Sequence, residues 1–579
     1  MKRFILLSLL LCLQVICFAQ NQTKEEIYLN GLANYQNENY NEAFKYLDSS
    51  AKLGETRAEY YLGTMYESGN GVTQSYQEAI KCFLKSAEIE NADAEFKLGA
   101  MYRKGYGIEK DINESIKWFK KSSEHGSADA QCILGSMYYN GDDVPKDDKE
   151  ALKWYLLSAE QGNAFSQNNL AAMYEYGEAV AKDLKEALKW YRLSAEQGFA
   201  TAQCNLGKMY HYGKGVEHDG NEAAKWYIKA VEQNNAFAQL YLGVIYYNGD
   251  GLVADNQKAF ELFYKSANQG ISDAQNLLAH MYSKGEGVEK NDKEAIKWYL
   301  KSIEQGNKLA EYNLGNLYYN GEGVEQDYKQ AFNLYLKSAN QGYDDAAFKL
   351  GYMYEKGQGI SKSMEMAAEW YFESARLGNI VAQYNLGIFY YYGYGVKEDK
   401  EEAFKWLFRS AEQGYSEAQG NVGYMYQIGD VVKKDYKEAI KWLQKAAEQG
   451  DAQAQNNLGV MHANGLGFEK DMNEAMKLYT IAAEKGNLLA QSNLGYIYNK
   501  EEKFLNKKEA ARWYKASADQ GDQESMVELA CLYIDGEGVE QDYDKAMQLL
   551  NKASKLGNKK AKKIIKKIEK IIKKSNSNK

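Results

Sequence analysis

Proline is almost missing from this chain: Pro145 is the only one in 579 residues. Proline breaks helices, so its scarcity is what an uninterrupted helical array needs. Cysteine is sparse too, with six residues, of which Cys12 and Cys17 fall within the first 19. The five histidines, His125, His211, His218, His280 and His462, are scattered, and no H-E-x-x-H occurs. His211 and His218 flank one turn beside Asp219, which makes them the nearest approach to a metal-binding group. No second ligand pair accompanies them, and chance placement is the plainer reading. Acidic residues in the turns are not spaced as a calcium loop. The apolar stretch Phe4–Phe18 is short for a transmembrane helix, which needs roughly 20 residues. A signal anchor is the alternative to a cleaved leader, and no other segment could span a membrane.

Net positive charge is missing from most of the chain. The net charge is −9, yet residues 558–579 hold ten Lys and one Glu, which leaves −18 on residues 1–557. A surface of that sign disfavours nucleic acid, whose binding rests on phosphate neutralisation.

What is abundant is repetition. Gly63, Gly99, Gly135, Ala171, Gly207, Gly243, Ala279, Gly315, Gly351, Gly387, Gly423, Gly459 and Gly495 stand 36 residues apart, and Ala530 follows after 35. Self-similarity at this period means stacked helical hairpins. Taking these sites as position 0, the first helix of each copy carries small or apolar residues at −5, −1, 0, +2 and +3. In one copy they are Ala382, Leu386, Gly387, Phe389 and Tyr390, one face of a 3.6-residue period. Position −5 is Ala in twelve copies and Ser in two (Ser166, Ser525), so a neighbouring helix must come close there. The second helix starts at an Asp such as Asp183, Asp399 or Asp435 and ends at Gly162, Gly198 or Gly414, as cap chemistry requires. All nine tryptophans (Trp118, Trp154, Trp190, Trp226, Trp298, Trp370, Trp406, Trp442 and Trp513) share one place in the repeat. A residue confined to one repeat position packs hairpin on hairpin, and none is left to mark a ligand pocket.

The pattern A-x-x-x-L-G-x-M-Y-x-x-G-x-G-V-x-x-D-x-x-E-A-x-K-W-Y-x-K-S-A-E-Q-G resembles the Sel-one-like repeat, a cousin of the tetratricopeptide repeat with a longer turn between its helices. The resemblance runs from about Ile27 to Gly557. It implies an all-α, right-handed α/α superhelix, a solenoid of about fifteen helix-turn-helix repeats, used for contact between proteins. Cys82, Cys132, Cys204 and Cys531 lie in different copies. Cys132 and Cys204 are two copies apart, roughly 20 Å if helices stack about 10 Å apart, whereas a disulfide needs Cα atoms within about 7 Å. All four read as unpaired packing residues. The cysteine-rich branch of the family bridges each repeat, so the penicillin-binding activity attributed to that branch does not carry over.

Taken in order, residues 1–19 read as a signal peptide: Lys2-Arg3, an apolar stretch and a small-residue site ending at Ala19. Export to the periplasm, the cell surface or the medium is therefore expected, with no transmembrane segment in the mature chain. Residues 24–54 form a hairpin with a shorter turn, closer to a plain tetratricopeptide repeat, as befits an N-terminal cap. Tandem repeats fill 58–557. The turn G-x-G followed by Val, Ile, Leu or Phe is kept in ten of fourteen copies. Three others lose the second glycine, and the thirteenth copy has Asn499 to Lys503 in its place, which predicts a local change of twist and a weak joint. Residues 558–579 read as a Lys-rich capping helix and tail, with Ile564, Ile565, Ile568, Ile571 and Ile572 on one face; recruitment to an anionic surface is the alternative.

The glycine turns follow helices, not strands, so they are not nucleotide loops. No cofactor is implied and no catalytic constellation is found, which makes a secreted hydrolase or wall-active enzyme the weaker alternative. Opposite the core stripe of the first helix lie positions −3, +1 and +5, the expected inner curve. Tyr312, Phe348, Tyr352, Tyr384, Tyr392, Tyr424 and Tyr496 fall there, and amphipathic rings on a concave surface are typical of binding hot spots. They are the candidate groove for a protein or peptide partner; filling space between neighbouring first helices is the competing role.

Overall fold

The computed structural model describes residues 23–577, with side chains to residue 569. The leader therefore lies outside the described residues. Among the described residues every regular element is a helix and none is a strand. The chain divides into two compact units, Met1–Ser302 and Ile303–Lys579. Each is a run of antiparallel hairpins stacked in sequence order.

One hairpin of the first unit shows how local sequence sets the elements. Helix α9 (Ala164–Tyr176) starts where the Asn163 side chain accepts a hydrogen bond from the Ser166 amide, and stops at Gly177, whose φ of 77° is left-handed. Helix α10 (Leu184–Glu196) starts where Asp183 accepts from the amides of Lys185 and Glu186. Each helix has 13 residues, or roughly 20 Å. Caps of this kind satisfy amides that a helix start otherwise leaves without partners.

The same spacing builds the core. Ala202, Leu206 and Met209 of α11 (Ala200–Tyr212) are buried with Trp190, Tyr191, Tyr155 and Trp226, in one cluster that runs through three consecutive hairpins. Where the second helix carries a tryptophan, the ring leans back on the preceding hairpin, as Trp118 and Trp154 do. In the second unit the Trp406 ring meets Phe372 at 6.0 Å, and Trp442 meets Phe408 at 5.4 Å. Position 0 is small because a ring fills the space beyond it: a Cβ on Gly135 would lie 2.7 Å from Tyr155.

Two polar clamps recur inside the hairpins. The buried serine near the end of the second helix donates to the first residue of the first helix, as Ser158 Oγ does to the Ala128 carbonyl (2.8 Å) and Ser410 Oγ to that of Ile380 (2.9 Å). The glutamine of E-Q-G donates to a buried glutamine at position −4, as Gln197 Nε2 does to Gln167 Oε1 (2.8 Å). Gln167 in turn donates to the Ala159 carbonyl of the hairpin before (3.1 Å). Where position −4 is Glu the partner varies: Lys85 pairs with Glu59 (2.9 Å) and His125 with Glu95 (2.7 Å), while Gln341 still donates to Glu311 (2.8 Å).

Much of the tyrosine is core. Tyr155, Tyr191, Tyr335 and Tyr371 are fully buried, and their hydroxyls reach across to Ser136, Glu175, Asn316 and Glu355 on first helices. In the thirteenth copy, α27 (Leu488–Lys500) is followed by a short 3₁₀ turn, Glu502–Phe504, and Phe504 packs against the cluster that holds Trp513. The last helix, α31 (Lys559–Ser577), buries Ala561 and packs Ile564, Ile565 and Ile568 on Leu550 and Ala530. Ile571 and Ile572 lie beyond the described side chains. No helix among the described residues is long and apolar enough to cross a membrane.

Candidate functional site

The seven candidate rings all lie in the second unit, on the first helices α17 (Lys308–Asn320), α19 (Asp344–Lys356), α21 (Ile380–Tyr392), α23 (Ser416–Ile428) and α27. The structure divides them by repeat position. At −3 the rings are half-buried, against the second helix of their own copy or the start of the next first helix. Tyr312 lies 5.0 Å from Tyr343, Phe348 5.7 Å from Tyr371, and Tyr384 5.2 Å from Tyr415. Position −3 thus differs from the open placement read from the helical wheel. Cys204 and Leu240, at −3 of earlier copies, are almost fully buried for the same reason: the start of the next first helix covers them.

Positions +1 and +5 are open. Tyr392 is 57% exposed, Tyr424 46% and Tyr496 54%. Tyr352 is half-buried, with Lys356 Nζ 5.5 Å above its ring. Tyr392 stacks on Tyr394 at 5.5 Å and meets Tyr391 edge-on at 4.9 Å. Tyr391 donates to Asp430 Oδ2 (2.7 Å), which also takes the Lys400 ammonium at 3.0 Å, so that corner is braced.

Three candidates converge on two adjoining depressions between α21 and α23. One, of about 150 Å³, is lined by Ile388, Tyr391, Tyr392, Asn421 and Tyr424. The other, of about 350 Å³, is bounded by Tyr384, Glu417, Gly420, Tyr424, Asp451 and Gln453. Tyr312, Phe348, Tyr352 and Tyr496 line neither. Tyr394, Asn421, Glu417 and Asp451 were missed by the sequence reading. Tyr394 had a signal, being one of two aromatic residues inside a G-x-G turn with Tyr106. The others had none, because Glu417 and Asn421 are joined by Asp451 from a different stretch of chain.

Charge in this region is negative. Burial raises the pKa of Tyr384, and the carboxylates of Glu417 and Asp451 push the same way. Tyr391 is raised as well, chiefly by its hydrogen bond to Asp430. The phenols therefore stay protonated at neutral pH and serve as amphipathic surface rather than as bases.

Elsewhere the chemistry-bearing residues are absorbed by structure. Asp219 caps its helix through the Glu222 amide. His211 and His218 instead share Asp250 of the next copy, each with a ring nitrogen 3.0 Å from its carboxylate. No group of three His, Cys, Asp or Glu able to hold a metal occurs among the described residues. Cys82, Cys132, Cys204 and Cys531 are free and at least half-buried, and burial pushes the Cys82 and Cys204 thiols up to about 12.

With this geometry in hand, the similarities to known proteins are direct. A protective antigen present in uropathogenic Escherichia coli strains, whose crystal structure displays an SLR fold, is 32% identical with a TM-score of 0.58; the match covers 84% of this chain and 96% of that one. A Sel1 repeat protein from Oxalobacter formigenes is 31% identical over 56% of this chain and 92% of its own, with a TM-score of 0.42. No curated protein matches. The Sel1 repeat model matches fifteen times in tandem, from residues 26–55 through 523–558. The chain is a helical scaffold of the kind used for contact between proteins, and it belongs to the Sel1 repeat family.

Proposed function

We propose that this chain is an exported, non-enzymatic scaffold that binds a protein or peptide along the concave, first-helix face, centred on α21 and α23. The observation that carries the reading is the pair of exposed rings Tyr392 and Tyr424 lining two adjoining depressions, with Tyr394 stacked on Tyr392. Tyr424 stands at +1, where other copies carry Lys208, Asn316 or Ser136, and Tyr392 at +5, where others carry Lys104, Asn140 or Lys284, so folding does not demand a ring at either. Rigid amphipathic rings in a depression are where binding energy concentrates. A hydrolase would need a nucleophile and a base in contact, and these depressions are lined by phenols, amides, carboxylates and apolar groups.

The test begins with affinity capture on the chain lacking residues 1–19, followed by the Tyr392→Ala/Tyr424→Ala variant. Its melting temperature should stay near wild type, since exposed substitutions usually shift stability by no more than about 0.5 kcal/mol. Partner binding should weaken by more than about 2 kcal/mol. A variant that melts early yet binds normally once folded makes the rings packing residues and removes the groove. Export is checked separately by mass spectrometry of the protein's N-terminus, which should begin at Gln20; a protein starting at Met1 inside the cell overturns it.

A further inference from the structure

At position −3 thirteen of the fourteen copies carry a side chain, from Tyr60 and Phe96 through Tyr384 to Ser492 and Val527. The exception is Gly420, in the middle of α23. The side chain at −3 normally lies against the residue 31 positions later, as Tyr312 does against Tyr343 and Tyr384 against Tyr415. For Gly420 that residue is Asp451, and nothing fills the space between, which is the 350 Å³ depression.

Packing does not call for this glycine. A Cβ on Gly420 would meet only Asp451, at 3.7 Å, an ordinary contact, and its backbone is plain helix with no positive φ. Glycine inside a helix is unfavourable relative to alanine, so the fold gains nothing from it. What the missing side chain does produce is access to the surroundings of Tyr384.

The lining has one charge sign, and the Lys485 ammonium beside it bonds the Gly450 carbonyl. Glu417 is exposed at the mouth, taking a hydrogen bond only from its neighbour Ser416. Asp451 caps α25 (Ala452–Asn464) through one carboxylate oxygen, on the Ala454 amide. The ion pairs nearby, Lys400–Asp430, Lys405–Glu402 and Lys441–Glu438, leave both carboxylates out. Both act on the Tyr384 ring electrostatically. Two carboxylates outside any ion pair beside an electron-rich ring are the complement of a cation that also donates hydrogen bonds, while the amides of Gln453 and Asn457 in the lining bond each other.

We infer that the Gly420 notch is a subsite for a cationic side chain, arginine or lysine, of a bound peptide. The inference rests on the peptide-binding reading above and specifies which peptides the face selects. Neighbouring Tyr392 and Tyr424 would hold apolar parts of the same peptide, while the notch adds the charged contact.

The experiment pans a phage-displayed library of random heptapeptides on the full chain and measures the selected peptides by fluorescence anisotropy. Arg or Lys should be enriched at least fivefold at one position over the unselected library. Binding should weaken at least tenfold for Gly420→Leu, which fills the notch, and at least threefold for Glu417→Gln, which removes one charge at an exposed site. Thermal unfolding of Gly420→Leu confirms that it folds, and Glu417→Gln serves alone if it does not. Cationic peptides that bind both variants as well as wild type reflect diffuse attraction to an acidic surface and overturn the subsite. Peptides without Arg or Lys that depend on Tyr392 but not on Gly420 also overturn it, while leaving the groove standing. If no selected peptide depends on Tyr392 or on Gly420, groove and subsite fall together.

Discussion

At the residue scale the repeat tolerates exceptions that have measurable consequences. Ala179 stands where most copies place the second turn glycine, and it keeps the left-handed backbone with φ of 57°. An L-residue in that region costs about 1–2 kcal/mol that glycine does not incur. Part of the gain from glycine is lost to its greater freedom in the unfolded chain, so Ala179→Gly should stabilise by about 1 kcal/mol. Chemical denaturation of the two proteins checks it, and an unchanged midpoint removes the strain argument. Asp143 is the contrasting case. It has φ of 64° at the same repeat position, but it holds Arg103 of the preceding copy at 2.9 Å, so glycine there also loses an ion pair.

His125 supplies a pH-dependent contact where most copies use glutamine. Its hydrogen bond to Glu95 raises its pKa above the ordinary 6.5. The folded value is therefore above the unfolded one. The stabilisation is fully present below about pH 6.5 and is lost as pH rises through the folded value. Hydrogen exchange of residues 92–127, corrected for intrinsic rates, should show less protection at pH 8.5 than at pH 6. His125→Gln should abolish the difference while keeping a hydrogen bond of the Gln341–Glu311 kind (2.8 Å). Equal pH dependence in that variant would assign the effect to another group.

At the scale of elements, nine hairpins set a tryptophan ring against the hairpin before, and five others use Cys82, Leu262, Leu334, Leu478 or Leu549 at that position. Trp190 is 8% exposed and packs among Tyr155, Leu170 and Leu206. Trp190→Ala removes that ring and leaves a cavity, at a cost of roughly 3–5 kcal/mol. Stability in stacked repeats is nearly local. Faster exchange should therefore centre on the hairpins of residues 128–235 and fade with distance along the first unit. Uniform acceleration across the unit would mean it unfolds as one block. Gly420 belongs to this scale as well. Replacing it by alanine should raise the stability of α23 by up to about 1 kcal/mol, because the new Cβ meets no clash.

For the whole molecule, charge decides what can approach. Residues 1–557 carry −18 against +9 on residues 558–579. The chain should fail to retard duplex DNA in a gel at physiological salt, since phosphate repulsion from the repeats outweighs a short basic helix. Retardation that falls steeply with salt would instead show the lysines of α31 acting on their own. Lys562, Lys563, Lys566 and Lys567 are exposed, while Ile564, Ile565 and Ile568 of the same helix face the last hairpin.

The hairpins and their ends were legible in the sequence because they depend on short-range spacing repeated many times. Asp183 four residues before Ala187, or Gly177 after Tyr176, acts within one turn of helix. The role of the tryptophans followed from their confinement to one repeat position. What only the tertiary structure decided are relations between residues some 30 to 40 positions apart. Tyr384 and Tyr392 sit on one helix, yet the first is wedged against Tyr415 and the second is open. Asp250, not Asp219, meets His211 and His218 because the next copy brings its turn alongside. Gly420 looks like one more glycine among 50, and its meaning appears only when Asp451 is seen across an unfilled gap. Local backbone chemistry specifies where helices begin and end, whereas the surface they present depends on which side chain the adjacent hairpin sets opposite each position.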